Sequence, residues 1–127
     1  NGRVYSTDVC LPISKITECV NFAEEETKKF GLRAPMVGHL GDGNFHVILP
    51  YDPKKKETYQ KIREFSDLLI KKTLELDGTI TGEHGVGLHK KDYLIKEHGD
   101  NIPVMISIKK TLDPNNIMNP GKIFDLS

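Results

Sequence analysis

Seven of the eleven glycines and three of the five histidines fall in two short windows of this 127-residue sequence. The first is Gly38-His39-Leu40-Gly41-Asp42-Gly43-Asn44-Phe45-His46. The second runs from Gly78 to Gly87 and contains Thr81-Gly82-Glu83-His84-Gly85-Val86-Gly87. Glycine clears space beside the backbone for a ligand. Imidazoles and carboxylates bind metals and move protons. If Gly41–Asn44 close a four-residue hairpin loop, Leu40 faces Phe45 and His39 faces His46. Residues so opposed share a sheet face with Cβ atoms roughly 4.5–5.5 Å apart. Both imidazoles can then reach one divalent cation, at about 2.0–2.1 Å for zinc.

Glu83 supplies a third, anionic ligand, and a two-His, one-carboxylate set leaves open positions for substrate oxygens. In an extended stretch Glu83 and His84 point opposite ways, so one can bind metal while the other faces a substrate. His84 is then the candidate general base, since imidazole titrates near neutral pH. The competing readings are two histidines hydrogen-bonded to backbone near a turn, and a solvated polar loop. Asp42 and Asn44 are first of all turn residues. Other patterns fail. Gly82-x-x-Gly85-x-Gly87 is not in dinucleotide-binding order, and no phosphate-loop Gly-Lys-Ser/Thr occurs. An EF-hand loop counted around Gly78 lacks its first Asp and last Glu, because Thr73 and His84 stand there.

The elements that must hold these windows follow from patterning. Arg3–Leu11 is β-branched and aromatic and ends at Pro12, which predicts a strand. Ser14 suits an N-cap, Ile16, Cys19, Val20, Ala23 and Thr27 recur at helical spacing, and Gly31 suits a C-cap. Residues 34–40 and 45–49 read as two strands. Tyr59, Ile62, Phe65, Leu69, Ile70 and Leu74 mark an amphipathic helix over 57–76. Thr79 to Gly87 reads as a short strand entering a glycine-rich loop. Helices are expected over 88–98 and 103–112, the second with Pro103 in its first turn. The tail from Asn116 to Ser127 is irregular. This order predicts an α+β fold, a ferredoxin-like antiparallel or mixed sheet with helices on one face.

Composition sets outer limits. The 18 Lys and Arg balance 18 Asp and Glu, which argues against a dedicated nucleic-acid binder. Hydrophobic residues at 37% and charged residues at 28% fit a globular chain. No apolar run approaches the ~20 residues of a transmembrane helix. Cys10 and Cys19 make no disulfide framework and read as core thiols, which fits an intracellular, reducing compartment. One domain of this length leaves no room for a flavin or dinucleotide domain as well.

The two windows, followed by Leu112-Asp113-Pro114 and Asn119-Pro120-Gly121-Lys122, resemble the C-terminal domain of FAD-linked oxidases of the vanillyl-alcohol-oxidase type. The motifs stand in family order over nearly the whole chain. The resemblance implies a divalent cation, zinc or manganese, on His39, His46 and Glu83, and a substrate-facing base at His84. It places Asn119 near the flavin, and Asn44 joins it as a cofactor-binding candidate. The implied reaction is FAD-dependent oxidation of a D-2-hydroxy acid to a 2-oxo acid, with an electron acceptor such as cytochrome c or a quinone. Hydroxyglutarate-oxidising members carry a Lys near Ser6 and an Asn near Ile48 that contact the distal carboxylate. Their absence, with the run Tyr5–Pro12, favours D-lactate; glycolate and D-2-hydroxyglutarate are the alternatives.

The family's FAD-binding domain and its usual substrate-binding Arg precede this region. Residues 1–127 are therefore expected to be a C-terminal piece of a longer enzyme, inactive alone, from a bacterial cytoplasm (with or without membrane association) or a mitochondrion. The competing classes are a non-catalytic metal-binding module and a plain interaction domain. Asn119-Pro120-Gly121-Lys122 argues against the first, which has no need of a flavin-facing tail.

Overall fold

A computed structural model describes residues 2–126. Asn1 and Ser127, the ends of the expected domain and tail, lie outside the described residues. Two compact units divide the chain, one ending at His84 and the other beginning at Gly85.

The first unit is an α+β layer. Four strands, β1 (Arg3–Ser6), β2 (Val9–Cys10), β3 (Met36–His39) and β4 (Asn44–Tyr51), pair antiparallel throughout. β4 is central. β1 and β2 follow one another in a single register along one of its edges, joined by the Thr7 amide on the Val47 carbonyl, and β3 takes the other. Phe45, Val47 and Leu49 alternate along β4 and point to the helical side. There they meet Ile16, Cys19 and Ala23 of α1 (Ile13–Phe30) and Ile62, Phe65 and Leu69 of α2 (Lys56–Glu75). Each large side chain so buried stabilises by about 1.5–3 kcal/mol before entropy is counted. The expected apolar spacing is thus the helix–sheet contact. Gly31 ends α1 in the left-handed conformation, its amide turned back to Thr27 and Lys28 carbonyls.

Four local expectations change. Pro12, with φ −51°, occupies the N-cap position of α1, and Ser14 lies inside the helix without a capping bond. The predicted strand over 3–11 breaks at Thr7-Asp8, both buried. Thr79 forms a single bridge to Cys10 rather than a strand, because the chain beyond it bonds to a side chain instead of a ladder. The β3–β4 turn sits one residue earlier than the hairpin expected above, so each strand partner shifts by two residues and the faces are kept. His39 pairs with Asn44, Gly38 with Phe45 and Val37 with His46, and Leu40–Asp42 form a single 3₁₀ turn. At Gly38 a Cβ would stand 2.6 Å from the Phe45 Cα, so the close approach of the strands requires glycine there.

The second unit holds α3 (Lys91–His98), a 3₁₀ turn and α4 (Ile102–Leu112), with Pro103 in the first turn of α4 as expected. α3 begins at Lys91 rather than near Leu88, and Gly99 continues into the 3₁₀ turn instead of stopping the chain. The irregular tail is tied back by the Ile123 amide on the Gly87 carbonyl (2.8 Å) and by the Lys91 ammonium on Asp125 (2.6 Å). No helix among the described residues is long and apolar enough to cross a membrane.

Candidate functional site

β4 is buried on both faces at its start. Opposite the apolar side, Asn44 and His46 point away from the helices. His46 is fixed from two directions. Its Nδ1 lies 3.0 Å from the Thr7 carbonyl oxygen, which only accepts, so Nδ1 carries the proton and donates. Thr7 is held in turn, its Oγ1 accepting the Val47 amide at 2.9 Å. The lone pair of His46 Nε2 then faces Glu83 Oε1 at 3.0 Å.

Two acceptors this close need positive charge between them, either a proton on Nε2 or a cation bound by both. Adjacent ligands at about 2.1 Å from one ion stand about 3 Å apart, so the pair fits a divalent cation. His84 stacks on His46, with ring centroids 4.8 Å apart and planes within 9°. Its Nε2 is 3.9 Å from Glu83 Oε1. Glu83 and His84 are each about half exposed, while His46 is nearly closed off. The arrangement is a buried imidazole with a carboxylate and a second imidazole open to a ligand.

Glu83 and His84 do not alternate. Both turn toward His46, because the loop bends around Asp8 at the break between β1 and β2. One Asp8 oxygen accepts from the Thr81 hydroxyl (2.8 Å), the Gly82 amide (2.9 Å) and the His84 amide (3.0 Å). The other accepts from the Glu83 amide at 3.3 Å and lies 3.5 Å from His46 Nδ1. Successive amides converging on one anion form a nest, and a nest abolishes the alternation of an extended strand. Among the described residues, Asp8, His46 and His84 offer ligand atoms that all lie within 4.8 Å of one another. The Asp8 oxygens are already taken up by amides, so its carboxylate belongs behind the loop.

The sequence-predicted residues divide accordingly. His46, Glu83 and His84 come together. His39 is exposed at the end of β3 and lies outside that converging group. Its register position, opposite Asn44, still puts it on the His46 face, one diagonal step away and within reach of long side chains. Asn44 is buried, and its Oδ1 has no hydrogen-bond partner among the described residues. That oxygen lies against Gly82, where a Cβ would stand 2.3 Å from it. Asn119 belongs to the second unit, with φ 47° and its carbonyl accepting the Lys122 amide at 3.3 Å.

Cys10 is half-buried, its thiol 3.5 Å from the Asp42 carbonyl. Cys19 is fully buried, as a core thiol should be, and burial pushes its pKa up. Sequence reasoning missed Thr7, Asp8 and Thr81. The available signal was two polar residues interrupting an apolar strand just before Pro12.

A family profile described as "FAD linked oxidases, C-terminal domain" matches residues 1–123. Among curated proteins, the chain is 41% identical over 126 residues to a "Probable D-lactate dehydrogenase, mitochondrial" of Danio rerio, covering 98% of this chain and 25% of that protein. It is 42% identical over 127 residues to "D-lactate dehydrogenase [cytochrome], mitochondrial" of Kluyveromyces lactis, covering 99% and 22%. It is 37% identical over 118 residues to "Glycolate oxidase subunit GlcD" of Bacillus subtilis, covering 92% and 25%. The chain thus spans about a quarter of the length of the curated relatives it matches.

Proposed function

We propose, for a chain that belongs to the family of FAD-linked oxidase C-terminal domains, that it forms the substrate-and-metal part of an FAD-dependent D-2-hydroxy-acid dehydrogenase acting on D-lactate. The observation that carries this reading is the convergence of His46 Nε2, Glu83 Oε1 and the stacked His84 ring on one sheet face. His39, His46 and Glu83 would hold a divalent zinc or manganese ion. When bound, that ion supplies the positive charge that fixes an α-hydroxy carboxylate and lowers the pKa of its hydroxyl. FAD, bound mainly by a domain outside this chain, supplies the acceptor for two electrons.

The chain's own residues do the rest. His46, locked by Thr7, offers a preset lone pair. His84, half exposed beside it, takes the hydroxyl proton as the hydroxy acid becomes a 2-oxo acid. The unpartnered Asn44 oxygen supports a donor on a bound molecule as its partner, and Asn119 is the second cofactor-side residue.

The substrate class rests on β1 and β4. Ser6 and Ile48 are direct cross-strand partners, and Ile48 lies two residues from His46 on the same face. Neither offers a cation or an amide to a second carboxylate, and burying one unpaired is costly. This favours D-lactate over D-2-hydroxyglutarate, and the likeness to the glycolate oxidase subunit keeps glycolate as the second substrate. The relatives' names support a cytochrome as electron acceptor, with a quinone as the other class, and a mitochondrial setting.

The test is steady-state oxidation by the flavoenzyme that carries this chain, with a dye acceptor. D-Lactate should exceed D-2-hydroxyglutarate in kcat/KM by at least about tenfold, the scale of one mismatched contact. Chelation should abolish turnover, and manganese or zinc should restore it. A preference for D-2-hydroxyglutarate, or full activity in chelator, would overturn the reading.

A further inference from the structure

We propose that Asp8 is a positioning residue that sets Glu83 and His84 against His46, so that the Thr7-Asp8 strand break assembles the site. This rests on the proposed function, in which those three side chains serve metal and base. Among the described residues, the loop at 81–84 joins no strand ladder, and the bridge before it is Thr79 to Cys10. What fixes it is one carboxylate, 2% exposed, gathering the Gly82, Glu83 and His84 amides and the Thr81 hydroxyl.

Asp8 is itself placed with the precision of a sheet. On one side Ser6 pairs with Ile48, and on the other Val9 pairs with Phe45, so two ladders to β4 flank the break. The neighbouring Thr7 carbonyl orients His46, which is also on β4. Two consecutive residues therefore hold the two halves of the site: Thr7 sets the ring, and Asp8 sets the loop that meets it. Supporting groups of this kind govern how well first ligands converge on a metal. Asp8→Asn keeps the shape but replaces one acceptor oxygen with a donor. A donor facing backbone amides pushes the loop away.

The experiment uses the full chain, labelled with nitrogen-15. In the wild type, the Gly82, Glu83 and His84 amides should exchange at least about a hundredfold more slowly than in an unstructured peptide, the sign of a closed local unit. Asp8→Asn should abolish that protection while Phe45 and Val47 amides stay protected. Manganese affinity, read from the free-ion electron paramagnetic resonance signal, should fall at least about tenfold, the usual size of a supporting-group effect. Asp8→Glu, which retains two acceptor oxygens, should recover part of the affinity. Unprotected loop amides in the wild type overturn the proposal, as does wild-type manganese affinity in Asp8→Asn. If Asp8→Asn does not fold, the wild-type exchange rates decide alone. A wild type that binds neither manganese nor zinc defeats the proposed function instead, while the exchange rates still judge Asp8 as the loop's anchor.

Discussion

Each unit of the chain contains a buried aspartate that gathers the amides of a loop, and the two do so over different distances. Asp113 ends α4 and accepts from the Ile117 and Met118 amides, both at 2.9 Å and only four and five residues ahead. Lys109, one turn back, bonds its carboxylate and also reaches the Met118 carbonyl at 2.6 Å. Asp8 accepts from amides 74 to 76 residues ahead and lies beside an imidazole. The local clasp can form with its own helix and carries its own countercharge. The distant clasp exists only after β1, β2 and β4 have assembled. A local clasp shapes a turn, whereas a distant one brings together residues the chain order keeps apart, as Glu83 and His46 are.

Truncation should separate the two most widely. Asp8→Ala leaves three amides and a hydroxyl without their acceptor. The loss should be about 3 kcal/mol, since each buried unsatisfied group costs about 1–3 kcal/mol and the half-exposed loop regains some water. Denaturant unfolding of the whole chain measures it. Asp113→Ala should cost less and leave the β4 amides fully protected from exchange. Equal losses from the two variants would end the distinction.

The same contrast explains what was legible in the sequence. Local signals were read correctly: the apolar spacing of α1 and α2, Gly31 as a C-cap, and Pro103 in the first turn of α4. The glycine-flanked His46, Glu83 and His84 were marked as chemistry because their residue types and neighbours announce it. What failed depended on long-range partners. The β3–β4 register turned on whether Asn44 belonged to the loop or the strand, and Asn44 is a turn former that pairs in the strand. Glu83 and His84 were expected on opposite sides because nothing near them shows that Asp8 will bend their backbone. Asp8 itself read as one polar position in a strand.

Glycines near each clasp should respond next. At Gly82 an added methyl meets the buried Asn44 side chain, so Gly82→Ala should cost about 2 kcal/mol, the range of overpacking. Gly121, in the second unit, has φ 71° and open space around its missing Cβ. Gly121→Ala should therefore cost only backbone strain, about 1 kcal/mol. Thermal unfolding of the two variants ranks them. A harmless Gly82→Ala would mean that the loop does not press on Asn44.

Acid should open the local clasp by a route of its own. The Lys109 ammonium bonded to Asp113, helped by the Ile117 amide, holds its carboxyl below the usual range. A depressed carboxyl contributes stability that is fully present above the unfolded value of about 3.9. That contribution is lost as pH falls through the lower folded value. Exchange protection at Ile117 and Met118 should hold at pH 5 and begin to fall away only once the pH has dropped below the unfolded value of about 3.9. Asp113→Asn should remove this acid limb while keeping an acceptor oxygen. A profile unchanged by that variant would separate the loop from the charge on Asp113.

The smallest effect should come from Thr81→Val, and it tests what the distant clasp is made of. Thr81 gives Asp8 a side-chain donor, a hydroxyl at 2.8 Å, on an oxygen that also receives the Gly82 and His84 amides. Valine matches the shape of threonine but lacks the hydroxyl, so Asp8 loses that donor and keeps the Gly82, Glu83 and His84 amides. A single hydrogen bond to a charged acceptor contributes about 1.5 kcal/mol, and the remaining donors can tighten in response. Thr81→Val should therefore lower stability by about 1 kcal/mol. Protection at Gly82 and His84 should persist, and manganese affinity should stay within about twofold, well short of the effect of a lost anchor. If this one hydroxyl instead matched the loss from Asp8→Ala, the clasp would be a side-chain pair rather than a nest of amides. The contrast with Asp113, whose carboxylate combines backbone amides with a lysine, would then have to be redrawn around which side chain each aspartate recruits.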